Sequence, residues 1–145
     1  MMVSHFISSI FQDRFQFMIK PAEIIETFFK ALSSRDLEKI LSFFDDRSTW
    51  QNVPHPPANG VAEIEEMFRT IVERSSKIQW DIVTASFEDD RAWLERVDRF
   101  WIDQVEYAVR CHGVFDFDTT SSTIVSVRDY VDLGEWRERL REANL

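Results

Sequence analysis

The stretch Arg91-Ala92-Trp93-Leu94-Glu95-Arg96-Val97-Asp98-Arg99-Phe100-Trp101-Ile102 alternates with the period of a β-strand. Side chains two apart on a strand share a face. One face therefore carries Ala92, Leu94, Arg96, Asp98 and Phe100, and the other carries Trp93, Glu95, Val97, Arg99 and Trp101. A cation and a carboxylate thus stand on a row flanked by Leu94 and Phe100. Buried charges are costly unless they are paired. A second anomaly matches the first. In Thr123–Val131 one face reads Val125, Val127, Asp129, Val131, which places another aspartate in an apolar row.

Outward from this strand, the period-two pattern continues on both sides. Lys77–Phe87 places Ile78, Trp80 and Ile82 on one face, and Glu88-Asp89-Asp90 forms a turn. Val105–Phe117 places Tyr107, Val109, Cys111, Gly113, Phe115 and Phe117 together. Asp118–Ser122 turns the chain into a last strand over Thr123–Asp132, and Gly134–Ala143 reads as a closing helix. The N-terminal half has helical spacing instead. Pro21 suits a first helical turn, and Ile24, Ile25, Phe28, Phe29 and Leu32 recur on one stripe. After a break at Ser33–Asp36, a second helix buries Leu37, Ile40, Leu41 and Phe44 and ends at Asp45-Asp46. Arg47–Val53 reads as a short strand with Ser48, Trp50 and Asn52 on one face. Three prolines in Pro54–Gly60 predict a stiff loop that is neither helix nor central strand. Val61–Arg74 reads as a helix with Ile64, Met67, Phe68, Ile71 and Val72 inward.

Helices followed by a run of long antiparallel strands indicate an α+β fold. A curved sheet wrapped by about three helices makes a cone with an interior cavity. The 145 residues suffice for one domain, placed at residues 21–145. Residues 1–20 read as an extension, in which Met1–Phe17 is either an accessory helix or an upstream start before Met18.

Composition removes several function classes. A net charge of −9 argues against a nucleic-acid partner and against a polybasic membrane anchor. The single cysteine, Cys111, excludes an internal disulfide and a cysteine-rich metal site. His5, His55 and His112 lack metal-ligand spacing, so no metal is expected. No stretch has the length of a membrane span, and Val3–Phe11 lacks the basic flank of a signal peptide, so a cytoplasmic protein is expected.

Pairing the strands about their loop centres sets Arg96 opposite Cys111, and Cys111 opposite Asp129. Arg96 and Asp129 then lie roughly 10 Å apart at the backbone, two strand spacings, and a guanidinium can close most of that gap. Cys111 and Gly113 between them are small and leave room for a ligand. The expected pocket wall is Leu94, Phe100, Val109, Cys111, Gly113 and Val127.

Four segments in order, Trp50-Gln51-Asn52-Val53-Pro54-His55-Pro56-Pro57, Glu95-Arg96-Val97-Asp98, Gly113-Val114-Phe115 and Arg128-Asp129-Tyr130-Val131-Asp132-Leu133, resemble the limonene-1,2-epoxide hydrolases of the NTF2-like, SnoaL-like superfamily. The resemblance runs from about Pro21 to the C-terminus. It implies an NTF2-like cone with a mixed, largely antiparallel sheet, a homodimer, and cofactor-independent addition of water to a lipophilic epoxide. Carried over residue by residue, it implies Asp98 as general acid, Asp129 as base, Arg96 as the bridge between them and Asn52 as a water ligand. Trp50 stands where the family has tyrosine, and offers a donor without an acceptor. Two readings compete. One is a proton-transfer enzyme like the ketosteroid isomerases and polyketide cyclases, with one aspartate as base. The other is a non-catalytic ligand-binding module. Trp93, Val97 and Trp101, on the opposite sheet face, read as the dimer contact.

Overall fold

The computed structural model describes residues 18–145. The reading of Met1–Phe17 as accessory helix or upstream start lies outside the described residues. Helix α1 (Pro21–Ser34) buries Pro21, Ile24, Ile25, Phe28, Ala31 and Leu32 along its apolar stripe. It stops because Arg35 turns left-handed at φ 56°, donating its backbone N–H to the Leu32 carbonyl. The Arg35 side chain then reaches the Ser75 carbonyl at 2.6 Å.

Helix α2 is shorter than its stripe predicts. It spans Leu37–Leu41, with Asp36 accepting from the Lys39 backbone N–H at its start. Phe44 is buried all the same, beyond the helix end. Strand β1 (Thr49–Asn52) is anchored by the buried Ser48 hydroxyl, which donates to the Ile124 carbonyl at 2.7 Å. The proline loop, expected to be neither helix nor central strand, ends in a two-residue edge strand β2 (Ala58–Asn59) against β1. Those two residues follow the last proline and pair only at the sheet edge, where the missing donors cost nothing. Gly60, at φ 79°, makes the turn into α3 (Gly60–Arg74), where a side chain would be strained.

Strands β3 (Lys77–Phe87), β4 (Arg91–Ile102), β5 (Val105–Asp118) and β6 (Thr123–Val131) follow, then α4 (Leu133–Glu142). The six-stranded sheet has the order β2-β1-β6-β5-β4-β3, with β1 parallel to β6 and the other neighbours antiparallel. The fold is thus α+β, an unclosed curved sheet with four helices among the described residues. A bulge lies between Ile82 and Thr84, and the outer half of edge strand β3 is exposed on both faces. Ile82 keeps the face it shares with Ile78 and Trp80, opposite Arg96, but on this edge strand it is 41% exposed. Asp132, expected to end the last strand, instead caps α4 by accepting from the backbone N–H groups of Gly134 and Glu135.

The register of β4 on β5 follows from a two-residue turn, with Asp103 and Gln104 both at positive φ. It sets Arg96 opposite Cys111. The β5–β6 register corrects the sequence reading. Asp129 faces Gly113, and Cys111 faces Val131. The hairpin tip pairs Asp118 with Thr123, one step from the expected loop centre, and a bulge past Asp116 adds a second step. Two steps preserve the face, whereas one would have turned Asp129 out of the sheet's inner row.

Candidate active site

Arg96 is the largest fully buried side chain among the described residues. Its Nε and Nη2 donate to Asp98 Oδ1 and Oδ2 at 2.7 and 3.0 Å, a bidentate contact. The same Nη2 donates to Asp129 Oδ2 at 2.7 Å. One guanidinium from β4 thus joins two carboxylates, one on its own strand and one two strands away. Its position is also held by aromatic rings. The guanidinium carbon lies 4.6 Å from the Trp80 ring centre and 5.5 Å from that of Phe115.

The carboxylates open onto a cavity of about 360 Å³. Asp98, Asp129, Asn52 and Cys111 make its polar end. Asn52 stands beside Asp129 in the parallel ladder between β1 and β6, and the Val53 backbone N–H donates to the Asp129 carbonyl at 2.9 Å. Trp50 lines the cavity and is 3% exposed. It packs edge-to-face on Phe68, with ring centres 5.1 Å apart, and on Phe115 and Trp80. The indole is therefore a wall of the aromatic core that also lines the cavity.

Of the expected pocket wall, Phe100, Val109 and Cys111 line the cavity. Leu94, Gly113 and Val127 do not, and this corrects the sequence reading. Leu94 and Val127 are wholly buried in the core. Gly113 lies beneath the guanidinium, so the space over this small residue holds Arg96 rather than a ligand. The sequence reading missed Trp80, Phe68, Ile71, Trp136 and Leu140, which complete the apolar wall. Trp80 had a signal: it pairs with Asp98 in the β3–β4 ladder and so shares its face. Trp136 comes from α4, where it meets the Phe100 ring edge-on at 6.0 Å.

Burial pushes the Asp98 carboxyl up to about 6, against the pull of Arg96, and the charge of Asp129 adds to the rise. Burial opposes the charge on Arg96, but Asp129 and Asp98 more than offset it and hold its pKa well above the usual arginine value. Burial likewise pushes the Cys111 thiol upward, so it stays protonated. Donor atoms of Asp98, Cys111 and Asp129 lie within 4.8 Å of one another. A metal ion there would have to displace the guanidinium that already neutralises the carboxylates, and would meet a thiol rather than a thiolate. The cluster suits acid–base chemistry better than metal binding.

The raised Asp98 carboxyl has a consequence for stability. Its folded value, about 6, exceeds its ordinary value of 3.8, so the folded state holds the extra proton between those limits. The favourable contribution is full below about pH 4 and is lost as pH rises through about 6. The difference corresponds to about 3 kcal/mol. Urea unfolding between pH 4 and pH 7 is expected to show this decline in the wild type, and Asp98→Asn is expected to flatten it.

The SnoaL-like domain family matches residues 25–126. Solved structures of the same shape include an epoxide hydrolase of Mycobacterium tuberculosis resembling the limonene-epoxide enzymes (TM-score 0.68, 21% identity, covering 84% of this chain and 90% of that one). A candidate SnoaL-like polyketide cyclase of Shewanella denitrificans superposes with TM-score 0.68 at 13% identity, over 83% of this chain and 96% of that one. The epoxide hydrolase/cyclase-like enzyme SalBIII, tied to pyran-ring formation in the polyether salinomycin, gives TM-score 0.68 at 16% identity, over 79% and 92%. At these identities the superpositions establish the fold alone. No helix among the described residues is long and apolar enough to cross a membrane. With the family match running through both helical and sheet halves of the domain, the chain belongs to the SnoaL-like domain family and has the NTF2-like fold.

Proposed function

We propose that the protein is a cofactor-independent epoxide hydrolase that adds water to a lipophilic epoxide to give a vicinal diol. The observation that carries this reading is the Asp98–Arg96–Asp129 cluster at the polar end of an apolar cavity. Epoxide opening needs a proton on the ring oxygen while water attacks carbon. One acid must give a proton and one must take a proton at the same pH. Asp98 is the general acid, its carboxyl kept up by burial. Asp129 is the base that takes a proton from the attacking water, and Asn52 and Trp50 position that water. Arg96 holds both carboxylates at a set spacing through a rigid fork. Each well-placed proton transfer contributes about 10²–10⁴-fold. The epoxide hydrolase and the epoxide hydrolase/cyclase-like enzyme among the structural neighbours support this reading.

The test is turnover of apolar epoxides, with limonene oxide and styrene oxide as probes and diol as the readout. Because Asp98 must be protonated, kcat/KM is expected to fall as pH rises above about 6. Absence of diol with every apolar epoxide tried would sink the reading. A second reading has its own observation. Trp50 replaces the tyrosine of the hydrolases that this chain resembles, and removes an acceptor for the water. The same acids would then move a proton on a ketone, as the cyclase-like neighbours suggest. Deuterium exchange beside a ketone, without diol, would favour it.

A further inference from the structure

We propose that Gly113 is a positioning residue whose missing side chain is what lets Arg96 cross β5 and reach Asp129. The kinetic part of this proposal rests on the hydrolase reading, whereas the structural part does not. Arg96 projects from β4 opposite Cys111, and its second carboxylate partner projects from β6 opposite Gly113. The guanidinium must therefore pass diagonally over the middle strand, across the Gly113 Cα. A Cβ on residue 113 would collide with Arg96 Nη1, and would stand 2.5 Å from Asp129 Oδ1 and 2.9 Å from the Phe115 ring. All three are shorter than ordinary van der Waals contact.

Gly113 lies in an ordinary stretch of β5 and is not among the glycines at positive φ, so its backbone would accept any residue. The requirement is one of space. Glycine weakens a strand interior, and here that weakness is the condition for the ion pair. Nor can the charged groups retreat at little cost. Arg96 is tied by three hydrogen bonds and stacked on Trp80, so moving its fork breaks a contact to one carboxylate or the other. Arg96 Nη1 and Asp129 Oδ1 are both buried without a hydrogen-bond partner, and both lie against this glycine. A methyl group there would force apart two buried atoms, Arg96 Nη1 and Asp129 Oδ1.

The test is Gly113→Ala in two backgrounds, read by urea unfolding. One background is the wild type. The other is Arg96→Met, Asp98→Asn, Asp129→Ala, in which the buried ions are replaced by neutral groups, a change that proteins often tolerate. The alanine is expected to cost at least twice as much in urea midpoint in the wild type as in the neutral background. Failure of Gly113→Ala to fold alone, with folding restored in the neutral background, is the same result in stronger form. Equal losses in both backgrounds would overturn the proposal, since the damage would then come from Phe115 or the strand itself. In folded Gly113→Ala, kcat is expected to fall on the order of 10²-fold, the effect of misplacing a group by about 1 Å, with KM within about threefold. A kcat within threefold of wild type would count against the proposal. If the wild type makes no diol, the unfolding comparison still decides.

Discussion

Asp129→Asn is expected to lower kcat by on the order of 10³–10⁴-fold, with KM changed by less than about threefold. The reasoning starts from shape. Asparagine keeps the volume of aspartate and an oxygen that can accept from Arg96 Nη2, now bonded to Asp129 Oδ2 at 2.7 Å. Binding of an apolar epoxide, set by Trp80, Phe68, Ile71, Trp136 and Leu140, should hardly change. An amide, however, takes no proton from water at neutral pH. The loss therefore falls on the chemical step, which is the pattern of an interaction made in the transition state. Asp98→Asn should lose a similar factor for the opposite reason, because it has no proton to give. Since the two acids act in one step, the double variant should fall no further than about threefold below the poorer single one. Steady-state kinetics on folded variants measures all three. Additive losses would show that the carboxylates act independently.

Arg96→Met is expected to destabilise the fold by about 3–5 kcal/mol at pH 8, because it strands two buried carboxylates without their cation. Methionine fills much of the apolar stem and can still lie against the Trp80 ring, so packing loss is limited. The charge loss is not limited. Asp98 is already held up to about 6 with Arg96 pulling the other way. Without Arg96 its folded value rises further above the unfolded one. The penalty for ionising it is present above that folded value and vanishes below about pH 4, where the carboxyl is neutral in both states. In the wild type at low pH, moreover, Arg96 keeps its charge while losing ionised Asp98 as a partner. The gap between wild type and variant should therefore shrink by more than half from pH 8 to pH 4, measured by urea unfolding at each pH. A gap independent of pH would mean that the guanidinium contributes packing rather than charge.

How much of this was readable in the sequence depends on which physical signal carries it. Alternation located the four long strands to within a residue or so, because a period of two has no competing explanation over 9 to 14 residues. It also placed Arg96, Asp98 and Asp129 on one face. Alternation is silent about bulges, however. The hairpin tip, one step off the expected loop centre, and the irregularity past Asp116 together moved Asp129 from the expected place opposite Cys111 to the place opposite Gly113. Nor does alternation reveal exposure: Ile82 shares the face of Ile78 and Trp80, yet on the edge strand it is 41% exposed. The cavity wall was harder still. Leu94 and Val127 share the charged face, but neighbouring core covers them, whereas Trp136 and Leu140 reach the cavity from a helix that buries none of its own residues fully. Sharing a face is a local property of one strand. Lining a cavity depends on which helices stop short above it, and no spacing rule along the chain encodes that.

The paired acids are held by hydrogen bonds to one guanidinium, and the proposed step forms no bond between protein and substrate. A single turnover with enzyme in excess over limonene oxide, in ¹⁸O-labelled water, separates this step from a covalent one. Direct attack by water predicts diol carrying one ¹⁸O from the first turnover, with no label in the Asp98 or Asp129 carboxyl groups by peptide mass analysis. Unlabelled diol, with ¹⁸O appearing in either aspartate, would contradict it.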